Sequence, residues 1–169
     1  MEYISAPWRG PYVRQVRRMR GCVFCRALKA GDDRAAHILY RGKHNFVLLN
    51  KFPYTPGHLM IAPFRHTAAF DRMPPEVSSE MAGLLQLSLK ILRKACRPHG
   101  FNAGMNLGQS AGAGVVGHCH LHVIPRWHGD SNFMPLVSQT RVLIEDLDST
   151  YDRLRPLFQK AGRPPGRKR

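Results

Sequence analysis

The stretch Gly117–Trp127, GHCHLHVIPRW, sets His118, His120 and His122 at every second position. Cys119, Leu121 and Val123 alternate with them, and such alternation reads as a β-strand whose successive side chains point to opposite faces. The three imidazoles then share one face, with neighbours about 6–7 Å apart at roughly 3.3 Å of rise per residue. Cys119, Leu121 and Val123 turn the other way, toward a core. A single histidine in a strand is often no more than a hydrogen-bonded side chain, and a pair at i and i+2 can share a metal. Three in a row ask for more, because burying that many titratable rings without a task costs desolvation and leaves donors needing partners.

Immediately upstream, Phe101–Gly108 (FNAGMNLG) alternates Phe101, Ala103, Met105 and Leu107 with Asn102, Gly104, Asn106 and Gly108. One face of this strand is apolar and the other nearly bare, which marks a place where a ligand or another backbone comes close. The connection Gln109–Gly117 (QSAGAGVVG) is glycine-rich and leads straight into the histidine strand. Alone it reads equally as a flexible turn or a phosphate cradle; beside small residues and a histidine row, the cradle gains weight. Further back, Val77, Met81, Leu84, Leu85, Ser88, Leu92, Ala95 and Cys96 recur at 3.6-residue spacing, with Pro74 and Pro75 before them and Pro98 and Gly100 after. That predicts one long helix packed on a sheet. His37–Tyr40 and Phe46–Leu49, joined through Arg41-Gly42-Lys43, read as a hairpin, and HLMIAPF after Pro53, Pro56 and Gly57 reads as the next strand. DSTYDRLRPLF suggests a short C-terminal helix capped by Asp148 or Ser149. The sum is an α+β fold with an antiparallel sheet.

At 169 residues the chain has the length of one domain. No apolar run approaches the ~20 residues of a membrane span, and the N-terminal residues lack the apolar centre of a signal peptide, so a cytoplasmic protein without membrane contact is expected. Four cysteines then suit reduced thiols or a metal better than a disulfide framework. The net charge of +15 concentrates at the ends: Arg9, Arg14, Arg17, Arg18 and Arg20 near the start, and Arg163, Arg167, Lys168 and Arg169 at the finish. Residues 1–20 and 159–169 therefore read as basic tails around a domain of 21–158. They are either solvated arms or weak contacts for nucleic acid or polyphosphates.

A histidine row beside glycine-rich backbone, with Arg126 nearby, suits a reaction at phosphorus. Neutral imidazole is a competent nucleophile, and a second imidazole can donate to a charged phosphoryl oxygen. Backbone amides of the loop would stabilise charge on the equatorial oxygens. His120 alone has an imidazole on each side, which makes it the natural nucleophile.

HCHLHVI matches the alternating signature of the histidine triad (HIT) superfamily of nucleotide hydrolases and transferases, and the resemblance runs from GCVFC to about Phe158. LNKFPYTPGHLMIAPFRH and RPHGFNAGMNLGQSAGAG resemble the bacterial diadenosine tetraphosphate phosphorylase branch. The resemblance implies a HIT-like α+β fold, a homodimer or tetramer, and a covalent nucleotidyl-histidine intermediate. It further implies that His120 attacks the α-phosphorus of a dinucleoside polyphosphate while His122 and His58 orient it, with His118 completing the triad. Asn106 takes a position near the α-phosphate, beside Gly108. Asn50 stands where many members carry a ribose-binding aspartate. Gly114 replaces a frequent Ser or Gln before the triad, whose contacts Gln109 or Ser110 would take over. In the phosphorylase reading, inorganic phosphate attacks the intermediate and ATP and ADP are the products.

Cys22 and Cys25 form a Cys-x2-Cys knuckle, which alone fits either zinc or two unmetallated thiols. Resemblance to some superfamily members implies a structural zinc held by Cys22, Cys25, His66 and His118. Cys96 and Cys119 read as core cysteines, and His37, His44 and His99 as surface histidines beside turns. Trp127 and His128 would either line an adenine pocket or simply pack. Besides phosphorolysis, two alternatives stand: hydrolysis of dinucleoside polyphosphates or nucleoside phosphoramidates through the same intermediate, and a zinc-stabilised nucleic-acid-binding module.

Overall fold

The computed structural model describes residues 21–130 and 145–162. The expected basic extension 1–20 and the tail beyond residue 162 lie outside the described residues. Among the described residues five strands form one antiparallel sheet: β1 (Ile38–Arg41), β2 (Asn45–Leu49), β3 (Leu59–Pro63), β4 (Gly100–Met105) and β5 (Leu121–Arg126), in the order β1-β2-β3-β5-β4. Three described α-helices accompany them, α1 (Val23–Lys29), α2 (Pro75–Cys96) and α3 (Leu147–Ala161), with a 3-10 turn at Phe70–Arg72. This is the expected α+β architecture.

Register explains which side chains meet the site. Leu48 pairs with Met60, and Met60 with His122, so these three share one face of the sheet. The residues between them, Val47, Leu49, Leu59, Ile61 and Val123, face the other way and join Met81, Leu84, Ile91 and Leu92 of α2 with Tyr151, Leu154 and Phe158 of α3 in the main core. On the histidine face, Ile38, Phe46, Leu48, Met60 and Ala62 pack around Phe24 of α1. Covered on both sides, β2 and β3 are buried throughout, which is why FVLL and LMIA run apolar instead of alternating.

The long helix forms as its spacing predicts, with Pro75 pre-set for the first turn and Arg97 in the left-handed conformation (φ 47°) after its end. The seven-residue α1 was not anticipated, because so short an element carries no readable period. The C-terminal helix also differs from expectation. Its cap is Asp146, whose carboxylate accepts from the Ser149 backbone N–H at 2.8 Å, and it continues past Pro156 to Ala161. Asp148 and Ser149 lie inside its first turn, where an acidic residue complements the helix dipole.

The two edges of the sheet are unlike. At β1 the strand has four residues and a register irregularity between Ile38 and Tyr40, and the Arg155 guanidinium donates to the Ile38 carbonyl. At β4 the six-residue strand is in unbroken register with β5, and Asn102, Ala103 and Gly104 are exposed. Among the described residues no helix is long and apolar enough to cross a membrane.

Candidate active site

The histidine row lies on the α1 face. Ladder pairing begins at Leu121, so His118 and His120 occupy the run leading into β5, and the Cys119 N–H donates instead to the Thr67 carbonyl at 2.7 Å. Phe24 floors this run, its ring centroid 5.0 Å from that of His118 and 4.9 Å from that of His120. Both rings are buried, and the His120 and His122 centroids stand 4.8 Å apart.

Obligate donors and acceptors dictate where each imidazole keeps its proton. The Tyr54 backbone N–H donates to His58 Nδ1 at 3.1 Å, and the Asn50 side-chain amide approaches the same atom at 3.3 Å. His58 therefore carries its proton on Nε2 and donates to His122 Nδ1 at 2.9 Å, which puts the His122 proton on Nε2. The His118 carbonyl can only accept, so His120 Nδ1–H donates to it at 2.9 Å and His120 Nε2 keeps its lone pair. His118 Nε2–H donates to the Pro63 carbonyl at 2.8 Å, leaving His118 Nδ1 as a bare nitrogen 3.3 Å from Cys22 Sγ. Burial holds His118 and His120 below the ordinary imidazole range. Burial, followed by the neighbouring imidazoles His122 and His120, pushes His58 down to about 3. Neutral rings at neutral pH are what a lone-pair nucleophile requires.

Other expected site residues are distributed around this row. Asn50 is buried, with its Oδ1 accepting from the Phe52 N–H at 3.0 Å, so its amide organises the β2–β3 loop and His58. Asn106 is half-buried just past the end of β4. Gly108, Gln109, Ser110 and Gly114 are exposed along the following loop. Gly108 and Gly112 there adopt φ of 87° and 83°, and an added Cβ on either would meet nothing within 4 Å. Arg126 stands four residues beyond His122, engaged with Asn102 at 2.8 Å and Asp130 at 2.5 Å. The surface histidines are partly engaged: His37 with Asp148 at 3.2 Å, and His99 stacked on His128 at 4.3 Å. Trp127 is half-buried. Sequence reasoning missed Tyr54, whose ring stacks on His58 at 4.9 Å, and Phe24. An aromatic four residues before His58, and one inside the Cys-x2-Cys knuckle, were the available signals.

Cys22, Cys25, His66 and His118 converge, with one ligand atom from each lying within 4.8 Å of all the others. Cys25 Sγ is 3.4 Å from His66 Nδ1 and 3.8 Å from His118 Nδ1. Two soft sulfurs and two imidazoles are a donor set for a closed tetrahedral zinc site, and the bare His118 Nδ1 is the tautomer that such a ligand needs. The residues fit the group.

A family model described as the HIT domain matches residues 32–129. The AP-4-A phosphorylase of Mycobacterium tuberculosis is 38% identical over 119 residues, which is 70% of this chain and 61% of that protein's length. This chain thus spans less than two thirds of that relative. An uncharacterized HIT-like protein of Saccharolobus solfataricus is 30% identical over 73% of this chain and 90% of its own length. A zinc-bound histidine triad family protein from Mycobacterium smegmatis superposes with a TM-score of 0.66 at 28% identity, covering 83% of this chain and 95% of that one.

Proposed function

The chain belongs to the HIT domain family, and from that premise we propose that it transfers a nucleotidyl group from a dinucleoside polyphosphate to inorganic phosphate, converting diadenosine tetraphosphate to ATP and ADP. The observation that carries this reading is the fixed protonation of the row: a lone pair on His120 Nε2 beside a proton on His122 Nε2. His120 Nε2 attacks the α-phosphorus, and its bond to phosphorus forms as the bond to the bridging oxygen breaks. His122, held by His58, donates its Nε2 proton toward the oxygen that leaves with ATP. The carbonyl of His118 steadies the positive charge that develops on His120 by accepting from Nδ1–H. Phosphate then attacks the adenylyl-histidine, releasing ADP and restoring the ring. Amides of the loop around Gly108–Gly114 suit the equatorial oxygens, and the likeness to the mycobacterial phosphorylase supports phosphate as second substrate.

Cys22, Cys25, His66 and His118 would hold a structural zinc, whose chemistry when bound is to tie the start of α1 to the histidine run. The reading also includes a cytoplasmic homodimer.

Ion-exchange separation of products after incubation with diadenosine tetraphosphate, with and without phosphate, tests the proposal. ATP and ADP should form only with phosphate, and His120→Ala should lower the rate at least ~10³-fold, as loss of a nucleophile does. AMP and ATP formed without phosphate would instead make the enzyme a hydrolase.

A further inference from the structure

We propose that Cys22 and Cys25 are an oxidation site: a hydroperoxide converts the pair to a disulfide, and closing that bond withdraws two donors from the Cys/His cluster and releases His118. Cys22 is the extended cap residue of α1 (φ −79°, ψ 128°), and Cys25 sits in its first turn. Two cysteines with this spacing across a helix start form the arrangement that dithiol redox motifs use. Their sulfurs belong to the four atoms within 4.8 Å of one another, so side-chain rotation brings them to the ~2 Å of a disulfide. A cavity of about 250 Å³, lined by Cys22 and His66 and by Gly21, Gly114 and Gly117, opens beside Cys22 and has room for a small oxidant to reach that sulfur. The remaining cysteines are placed differently. Cys119 is 3% exposed, and Cys96 packs with the α2 core on the other face of the sheet.

The chemistry balances without a further reactant. One thiolate sulfur attacks the peroxide, the O–O bond breaks, and a sulfenic acid forms; the second sulfur then displaces water as the S–S bond closes. Two sulfurs together lose two electrons, and the oxidant takes them with two protons, hydrogen peroxide leaving as two waters and an organic hydroperoxide as an alcohol and one water.

The consequence passes through one residue. The Cys22 sulfur faces His118 Nδ1, and the carbonyl of that same His118 holds His120 Nδ1–H. Loss of the sulfur partners leaves the His118 ring on its Nε2–H bond to the Pro63 carbonyl and loosens the segment that sets the orientation of His120. This last link rests on the function proposed above; the thiol chemistry does not.

The test treats the full-length, zinc-containing protein with hydrogen peroxide. Three readouts are followed: zinc released to a chromogenic chelator, the Cys22–Cys25 disulfide by peptide mass mapping, and the His120 Nδ1 proton by NMR. Disulfide and free zinc should appear one for one, the proton signal should weaken, and dithiothreitol with zinc should reverse all three. Cys25→Ser should form no such disulfide, while Cys96→Ser and Cys119→Ser should respond like the parent and, with the direct mapping, keep the test decisive if Cys25→Ser fails to fold. Thiols at 22 and 25 that stay reduced under a tenfold excess of peroxide would overturn the proposal, as would a disulfide formed with zinc retained. Protein that holds no zinc when purified without chelator, yet forms the Cys22–Cys25 disulfide with peroxide, would uphold the thiol pair and remove the metal assignment. An unchanged His120 signal after oxidation would sever the link to the nucleophile alone.

Discussion

At His58 the backbone decides protonation before any ligand arrives. The Tyr54 N–H can only donate, so the ring is committed to one tautomer and passes that commitment to His122. The same burial makes the residue a stability sensor. An imidazole in the unfolded chain titrates near 6.5, whereas in the fold His58 is down to about 3. As pH falls, the unfolded chain takes up the proton first. The contribution of His58 is therefore complete above about pH 6.5 and drains away between there and about 3, at up to ~1.4 kcal/mol per pH unit. Urea unfolding at pH 7, 6, 5 and 4 should show this slope on top of the like-signed share of buried His118 and His120, and His58→Asn should make it shallower; parallel curves for parent and variant would contradict the account. Histidines 118, 120 and 122 were legible because their spacing alone isolates them on one face. Tyr54 was not legible, because its contribution is a backbone N–H and a stacked ring, and neither leaves a mark in side-chain chemistry.

At the level of elements, periodicity told most where an element has one buried face. The helix α2 reads directly from its apolar stripe. The β5 strand reads well but starts later than its alternation suggests, because Cys119 bonds Thr67 instead of joining the ladder. The cap of α3 was misplaced by two or three residues, although Asp146 stands three before Ser149, the spacing a capping carboxylate uses. Less visible still is the grip of α2 on the β1–β2 turn. The Glu80 carboxylate accepts from the backbone N–H groups of Lys43, His44 and Asn45 at 2.6–2.8 Å and from the Asn45 side chain at 2.8 Å. An added Cβ on Gly42 would lie 2.7 Å from its Oε1, so the turn is built around this side chain. A glutamine there would aim an NH2 group at a backbone donor. Glu80→Gln should cost about 2–3 kcal/mol in denaturant unfolding, the scale of one or two charge-assisted hydrogen bonds lost. A loss below ~0.5 kcal/mol would show the turn holds without it.

For the whole molecule, the Cys/His cluster joins three distant parts of the chain: the start of α1, the segment after β3 and the entry to β5. Zinc held there, as proposed, would stabilise only the folded state, so chelation should lower Tm by about 10 °C and added zinc should restore it. A Tm indifferent to chelator would remove the metal from the fold's support. If two copies pair as proposed, the β4 edge is where they would do so, since among the described residues Asn102, Ala103 and Gly104 are exposed and the strand is in regular register. Sedimentation should give twice the chain's mass, and Ala103→Pro should return a monomer; a monomeric parent protein would exclude that pairing. The sheet order also has a consequence in time. Among the described residues β4 pairs only with β5, and β5 lies between two strands that precede it in the chain. A chain emerging from the ribosome can close the β1–β2–β3 meander early, but β4 lacks its β5 partner until Leu121–Arg126 has been made. The histidine run enters with that strand, so an unfinished chain cannot present the row in its final setting.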